Sequence, residues 1–519
     1  MVSYMKETFS GVKVAFFWHM HQPDYRDREG VMKMPWVFLH AIKDYYDMPW
    51  RMHTYKGVKA TYNLTASLIE QLLLYDDPLK YDYFLALWSQ PPAHLREEEK
   101  AFVVKLAQST QYETMVKPFP RYQELYPKSD LSDAEMVDLE ILFMLAWCGH
   151  YLRDHNAHVQ RLIRQERHYS QEDKALLLEI LTTFVQGILP FYRKLLHEGG
   201  ISLTTTPYFH PILPLLMDMT NGQKANPHTV LPQGAFSLHE DANAQIGRSI
   251  ALFERCFGTK PTGFWPAEGA VDESTLALYH EQGVAWIVTD EALLHRSLHN
   301  EDPTLKHHLY DFNGVKIVFR DRKLSDRIGF DYRYWEAHEA SATFLHEIRH
   351  SVEGENDPTV LIVMDGENAW EYFPNGGEDF LRALYTQLSH TPWCSTVTID
   401  EVLETSVARP LAQLASGTWI NGAFDTWVGH PQKNRAWEVL FQTHKAVLEF
   451  EGELSPQVRE KIQHHRLASE CSDWFWWYGE DHSSDFLAEF DALFRGHLIE
   501  IYRLMGQKAP SYLEEPITA

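Results

Sequence analysis

Residues Leu361 to Met364 (LIVM) form an apolar run with two β-branched side chains, the composition of a strand covered on both faces. The run stops abruptly at Asp365, and Glu367 and Trp370 follow closely. Residues two apart on an extended chain point to the same side, so the pattern predicts two carboxylates facing one space beside an indole. Pro374-Asn375-Gly376-Gly377 then breaks the chain, and Glu378 opens a helical run. A buried strand that delivers acids at its carboxyl end is how parallel α/β folds present reactive groups. Taken alone, the stretch is also compatible with a strand end followed by acidic loop residues.

Six more runs carry the same signature. Val12 to Trp18 leads into His19-Met20-His21-Gln22-Pro23, and Val58 to Asn63 is a second. Ile201 to Thr206 precedes Pro207-Tyr208-Phe209-His210-Pro211, and Gly263 to Pro266 runs toward Glu268. Ala285 to Thr289 ends in Asp290 and Glu291, and Val315 to Phe319 ends in Arg320-Asp321-Arg322. Helical patterns separate several of them: Asp272 is a good N-cap for Glu273 to Gln282, which Gly283 closes. Strand alternating with helix implies a parallel sheet with right-handed crossovers. The expected fold is α/β, an incomplete (β/α)7 TIM-like barrel over residues 1–400. A helical insertion is expected at about 66–199, with capping-box starts at Ser132-x-x-Glu135 and Ser170-x-x-Asp173. Residues 401–519 read as a mainly helical C-terminal domain contributing to the cleft, with long amphipathic runs over Asn434 to Gly452 and Ser484 to Met505.

Composition narrows the partners. Among 519 residues, 72 are acidic and 47 basic, a formal charge of −25, which repels nucleic acid and anionic membranes but not a neutral ligand. Aromatic residues make up 13%, with 16 Trp, and flat rings are what sugar-binding clefts stack on apolar sugar faces. Cys148, Cys256, Cys394 and Cys471 are widely spaced and form no C-x-x-C pair, which suits free thiols in a reducing compartment. The opening MVSYMKETFSGVKVAFFWH has no leader pattern, and no apolar stretch is expected to reach the ~20 residues of a membrane span. A cytoplasmic location is therefore expected; oligomeric state leaves no trace in the sequence.

Several residues are candidates for chemistry. Glu268 lies in Gly263-Phe264-Trp265-Pro266-Ala267-Glu268-Gly269-Ala270, where small residues leave space around a carboxylate. Paired with Asp365 from another strand, it offers what glycosidic cleavage needs, one acid to attack the anomeric carbon and one to protonate the leaving oxygen. His19 and His21 fit three readings: a metal pair, hydrogen-bond partners for sugar hydroxyls, or a packed strand end. A metal would want a further ligand, for which Asp290, His210 and Asp365 are available. The run from Ser472 to His482 (SDWFWWYGEDH), with Trp419 and Trp427, reads as an aromatic lid or as inter-domain packing. There is no Gly-rich phosphate loop, no G-x-S-x-G elbow and no zinc-finger spacing.

Five of these islands, in this order along the chain, resemble glycoside hydrolase family 57, the amylase and amylopullulanase type. They are His19 to Pro23, Thr206 to Pro211, Gly263 to Ala270, Met364 to Trp370 and Ser472 to Trp477. The resemblance implies a (β/α)7 barrel followed by a helical region, and retaining cleavage of α-glucans at α-1,4 or α-1,6 linkages. It places Glu268 on the family's nucleophile and Asp365 on its general acid/base. His19 and His21 fall on histidines lining the subsite of the cleaved bond, and Asp473 and Trp474 on the last motif. His210, Trp265, Glu367, Trp370 and Trp427 complete the expected substrate-binding set, with no metal and no cofactor. One departure is Asp24-Tyr25 after Pro23, where many members carry an aromatic directly after the proline. A 4-α-glucanotransferase or branching enzyme would use the same carboxylates. Outside that class stand a metal-dependent carbohydrate deacetylase and a non-catalytic glucan-binding protein.

Overall fold

The computed structural model describes residues 11–450 and 452–517; most of the amino-terminal stretch read for a leader lies outside the described residues. Strand β1 (Val12–Met20) is the axis of the fold. It pairs in parallel with β2 (Ala60–Leu64) on one edge and β8 (Thr359–Asp365) on the other, and β3 (Ile201–Thr204) extends the sheet beyond β2. A second sheet holds β4 (Gly263–Phe264), β5 (Trp286–Asp290) and β7 (Val315–Arg320), again in parallel. A bridge from Thr205 to Phe264 joins β3 to β4, and the amide of Asp321 donates to the carbonyl of Leu361 at 2.9 Å between β7 and β8. The result is a nearly closed barrel of seven parallel strands, the seven foreseen from the sequence.

Three short strands were not foreseen. β6 (Tyr310–Phe312) folds back antiparallel on β7, and β10 (Arg409–Pro410) adds to β6. β9 (Cys394–Val397) pairs with Val12–Ala15, filling the edge of β1 below the point where β2 takes over at Phe17. Each completes an exposed edge of the barrel, and unpaired edges are what sheets must cover.

Alternation along the strands divides the core in two. Val14, Phe16 and Trp18 of β1 face the surrounding helices, while Ala15 and Phe17 point into the barrel with Trp265, Trp286, Val288, Val318, Leu361 and Val363. The far end is stoppered by the helix Ile399–Thr405, whose Ile399 and Val402 join that interior cluster. Gly263 is required here, because a Cβ on it would lie 2.0 Å from the Trp286 ring.

Helices from Ala66–Leu73 to Ile188–Glu198 fill the insertion, and both capping boxes form, at Ser132 with Glu135 and at Ser170 with Asp173. One expectation fails here. The continuous run Gln171–Glu198, 28 residues with mean hydropathy 1.5 over its most apolar window, is long and apolar enough by composition to cross a membrane. Its buried face explains that content: Leu177, Leu181, Val185, Ile188, Tyr192 and Leu195 join the main core, and buried Lys174 pairs with Glu140. Beyond Thr405 the chain first crosses the barrel mouth, then forms the helices Pro431–Leu448, Pro456–Ser469, Ser472–Trp477 and Leu487–Leu504.

Candidate active site

The carboxyl ends of the parallel strands open on one cleft of about 470 Å³. His19, at the end of β1, is held by the side chain of its β2 neighbour Asn63, 2.7 Å from His19 Nδ1 to Asn63 Oδ1. Burial, reinforced by the neighbouring His21, lowers His19 to about 3, so the ring is neutral. On its other side β1 pairs His19 with Asp365, and the Gly366 amide donates to the His19 carbonyl at 2.7 Å. A side chain at Gly366 would collide with Met20, its Cβ 2.3 Å from the sulfur.

The two acids of the β8 end part ways. Asp365 is partly buried in the cleft and accepts from Asn368 Nδ2 at 3.0 Å. Burial raises it above the usual aspartate range. Glu367 is 2% exposed; its Oε1 accepts the His21 amide at 3.0 Å and lies 3.4 Å from the Tyr45 hydroxyl. Burial, then the charge of Asp365, holds Glu367 well above the glutamate range, and its carboxyl fixes the His21 backbone.

Glu268 follows β4 in a tight turn with φ +57°, a left-handed conformation unfavourable for a side-chain-bearing residue. The same loop is tied to Trp419, whose amide donates to the Glu268 carbonyl at 3.0 Å and whose indole Nε1 donates to Glu268 Oε2 at 2.9 Å. Ser472 donates to Glu268 Oε1 at 3.2 Å. Burial, then the charge of Asp473, pushes Glu268 up to about 8, against these two hydrogen bonds. β4 and β8 stand three places apart in the seven-strand ring, by way of β5 and β7, and Glu268 and Asp365 enter the same cleft from these different strands.

Between them lies a stack of three imidazoles. His21 and His210 have ring centroids 3.8 Å apart, and His19 lies 5.1 Å from His210. His210 also has a left-handed backbone, φ +59°, and its Nδ1 is 2.8 Å from Ser472 Oγ. His21 Nε2 is 2.7 Å from Asp473 Oδ2. Burial works against the charge on Asp473, but the attraction and hydrogen bond of His21 outweigh it and hold the carboxyl below its ordinary range.

Residues 15–414 match the family model described as glycosyl hydrolase family 57. The chain belongs to this family. A relative in Methanocaldococcus jannaschii, provisionally named an alpha-amylase, is 22% identical over 290 residues, 54% of this chain; the match spans 56% of that relative's length. Among solved structures, a family 57 branching enzyme of Thermococcus kodakaraensis superposes with a TM-score of 0.62 at 17% identity, over 95% of this chain and 90% of that one. An alpha-amylase of Thermotoga maritima gives 0.60 at 15% identity, over 97% and 95%. These likenesses establish a shared fold.

Within this family 57 barrel, the expected aromatic set needs correction. Trp265 is wholly buried among Phe17, His19 and Trp419, with ring centroids 5.1–5.8 Å away. Trp370 is also buried, its indole donating to the Gly366 carbonyl at 2.9 Å, and it shapes the Asp365–Glu367 loop from behind. Trp474 donates to the Ala468 carbonyl at 2.8 Å and faces the helical region, and Trp427 packs 6.0 Å behind Trp476. None of the four lines the cleft. The rings that do are Tyr25, Trp36, Tyr372, Trp419, Trp476, Trp477, Phe486 and Phe490. The helix Ser472–Trp477 accounts for the exchange: Trp474 and Phe475 turn into the core, leaving Trp476 and Trp477 toward the opening. Asn63 and Ser472 were not singled out as site residues; Asn63 sits at the same strand-end position as His19, a signal available in the sequence, whereas Ser472 carries none beyond its neighbours.

Proposed function

We propose that the chain cleaves α-glucans with retention of anomeric configuration. Glu268 attacks the anomeric carbon while Asp365 gives its proton to the leaving glycosidic oxygen, forming a glycosyl ester on Glu268. Asp365, now a carboxylate, takes a proton from water, which attacks the ester and regenerates both acids. The observation that carries this reading is the contrast at the two carboxylates. Burial raises both acids, but Glu268 receives two directed donors, from Trp419 and Ser472, suited to stabilising an anion, whereas Asp365 receives a single amide donor, suited to holding a proton. His21, His210 and Asp473 then serve as hydrogen-bond partners for sugar hydroxyls, and Trp419, Trp476 and Trp477 as stacking faces.

Incubation with starch, pullulan and maltoheptaose, with products followed by anomeric NMR, tests this directly: α-configured maltooligosaccharides are expected. For Glu268→Ala, azide is expected to restore cleavage of an aryl α-glucoside and yield the β-glycosyl azide. An inverted starch product, or full activity in that variant, removes Glu268 as nucleophile.

Transfer to a second sugar is the other reading, favoured by the apolar wall of Trp476, Trp477, Phe486 and Phe490 at the cleft. Such a wall offers an acceptor ring a surface and disfavours water. Oligomers longer than the maltoheptaose supplied are its signature. The four cysteines are free, which supports a reducing, cytoplasmic setting for either reaction.

A further inference from the structure

Three atoms able to ligate a metal meet at the inner wall of the cleft: His21 Nε2, Cys471 Sγ and Asp473 Oδ2, all within 4.8 Å of one another. The imidazole and the thiol both point at the same carboxylate oxygen, at 2.7 and 3.1 Å. We propose that this trio is a binding site for a thiophilic divalent cation, Zn2+ or Cd2+, and that its occupancy shuts the cleft. The inhibitory half rests on the function proposed above; the binding half does not.

Donor chemistry selects the class of ion. One imidazole nitrogen, one thiolate and one carboxylate oxygen suit zinc-like cations, whereas calcium or magnesium would demand more oxygens. Three protein ligands leave a fourth tetrahedral position; His21 and Asp473 line the cleft and Cys471 is fully buried. Orientation is already set on the histidine, because Thr65 Oγ1 lies 3.2 Å from His21 Nδ1 and can accept its proton, freeing the Nε2 lone pair. Metal–ligand bonds of ~2.0–2.3 Å place tetrahedral ligands ~3.3–3.7 Å apart, and Asp473 Oδ2, 2.7 Å from His21 Nε2 and 3.1 Å from Cys471 Sγ, draws back to admit the ion. The overall field is favourable too, in a chain of formal charge −25.

Binding forms a sulfur–metal bond and releases the Cys471 thiol proton to solvent. It also takes His21 and Asp473 out of service as partners for sugar hydroxyls, and places a cation close to Glu268, whose Oε1 shares Ser472 with His210. A second Asp–His–Glu cluster, Asp241, His444 and Glu470, differs in that the Arg466 guanidinium already sits on Asp241 where a metal would go.

The test is a titration of the metal-stripped, full-length chain with Cd2+, read by the ultraviolet sulfur-to-cadmium charge-transfer band. One equivalent per chain is expected, displaced by maltoheptaose, with Zn2+ inhibiting glucan cleavage competitively and EDTA restoring it. Cys471→Ser is expected to keep basal cleavage, lose the band and weaken Zn2+ inhibition at least tenfold; Cys471→Ala, with its fold checked by thermal melting, is the second variant. His444→Ala is expected to change neither readout. A band that survives both Cys471 variants, no stoichiometric band, or inhibition indifferent to maltoheptaose overturns the proposal. If no glucan is cleaved, the functional reading falls while the cadmium band still decides the site.

Discussion

Ser472 Oγ lies 3.2 Å from Glu268 Oε1 and donates to it, although the two residues are 204 positions apart. The same oxygen is 2.8 Å from His210 Nδ1, so a proton on that nitrogen directs the serine hydroxyl toward the carboxylate. Ser472→Ala removes a hydrogen bond to a charged group, a loss of about 1.5–3 kcal/mol. The expected result is a roughly ten- to hundredfold fall in kcat/KM. Glu268 acts as the anion, so losing the donor raises its pKa, and the acidic limb of the kcat/KM profile moves to higher pH.

Asp473→Asn moves the same limb the other way. The negative charge of Asp473 follows burial as a cause of the rise of Glu268 to about 8. Without it Glu268 ionises more readily, and activity appears at lower pH, even if the maximum falls through loss of the His21 partner. A pH–rate series on both variants checks the pair, since opposite displacements are required.

Asp365→Asn and Glu367→Gln separate the two acids of the β8 end. General acid catalysis contributes about 10²–10⁴-fold, so Asp365→Asn is expected to lose that much on starch while still binding it. An aryl glucoside with a good leaving group needs no proton and restores the first step. Glu367→Gln keeps its contact to the His21 amide and is expected to retain much more of the starch rate.

Gly263→Ala tests the barrel rather than the chemistry. The added methyl falls 2.0 Å from the Trp286 ring, inside the closed interior. Overpacking of this kind costs about 1–3 kcal/mol, and here backbone must move as well. A lower Tm by calorimetry is expected, and an unchanged one would mean that the interior yields.

Much of the barrel was legible because each strand ends in a change of chemistry. VKVAFFW into His-Met-His and LIVM into Asp-Gly-Glu mark both the strand and the direction in which it points. Parallel strands bring those ends to one mouth. β6, β9 and β10 were not legible, because YDF, CSTV and RP carry little strand signal and exist as strands only where β7 and β1 offer an open edge. The tryptophans failed for a related reason. In Trp474-Phe475-Trp476-Trp477 nothing local distinguishes the ring that packs from the ring that waits for a ligand. The docking of that short helix on the core decides it. The membrane-like run at Gln171–Glu198 misleads similarly: its apolar content serves a protein core, which composition cannot separate from lipid.

Among the described residues, Ile399 and Val402 plug the barrel interior behind the cleft. Under the function proposed above, a polysaccharide is not threaded through the barrel; it lies across the rim and departs by the route it came. Grip on a long chain must then come from the rings around the rim, Trp36, Tyr372, Trp476 and Trp477, while the interior of the barrel is given over to holding the acids still.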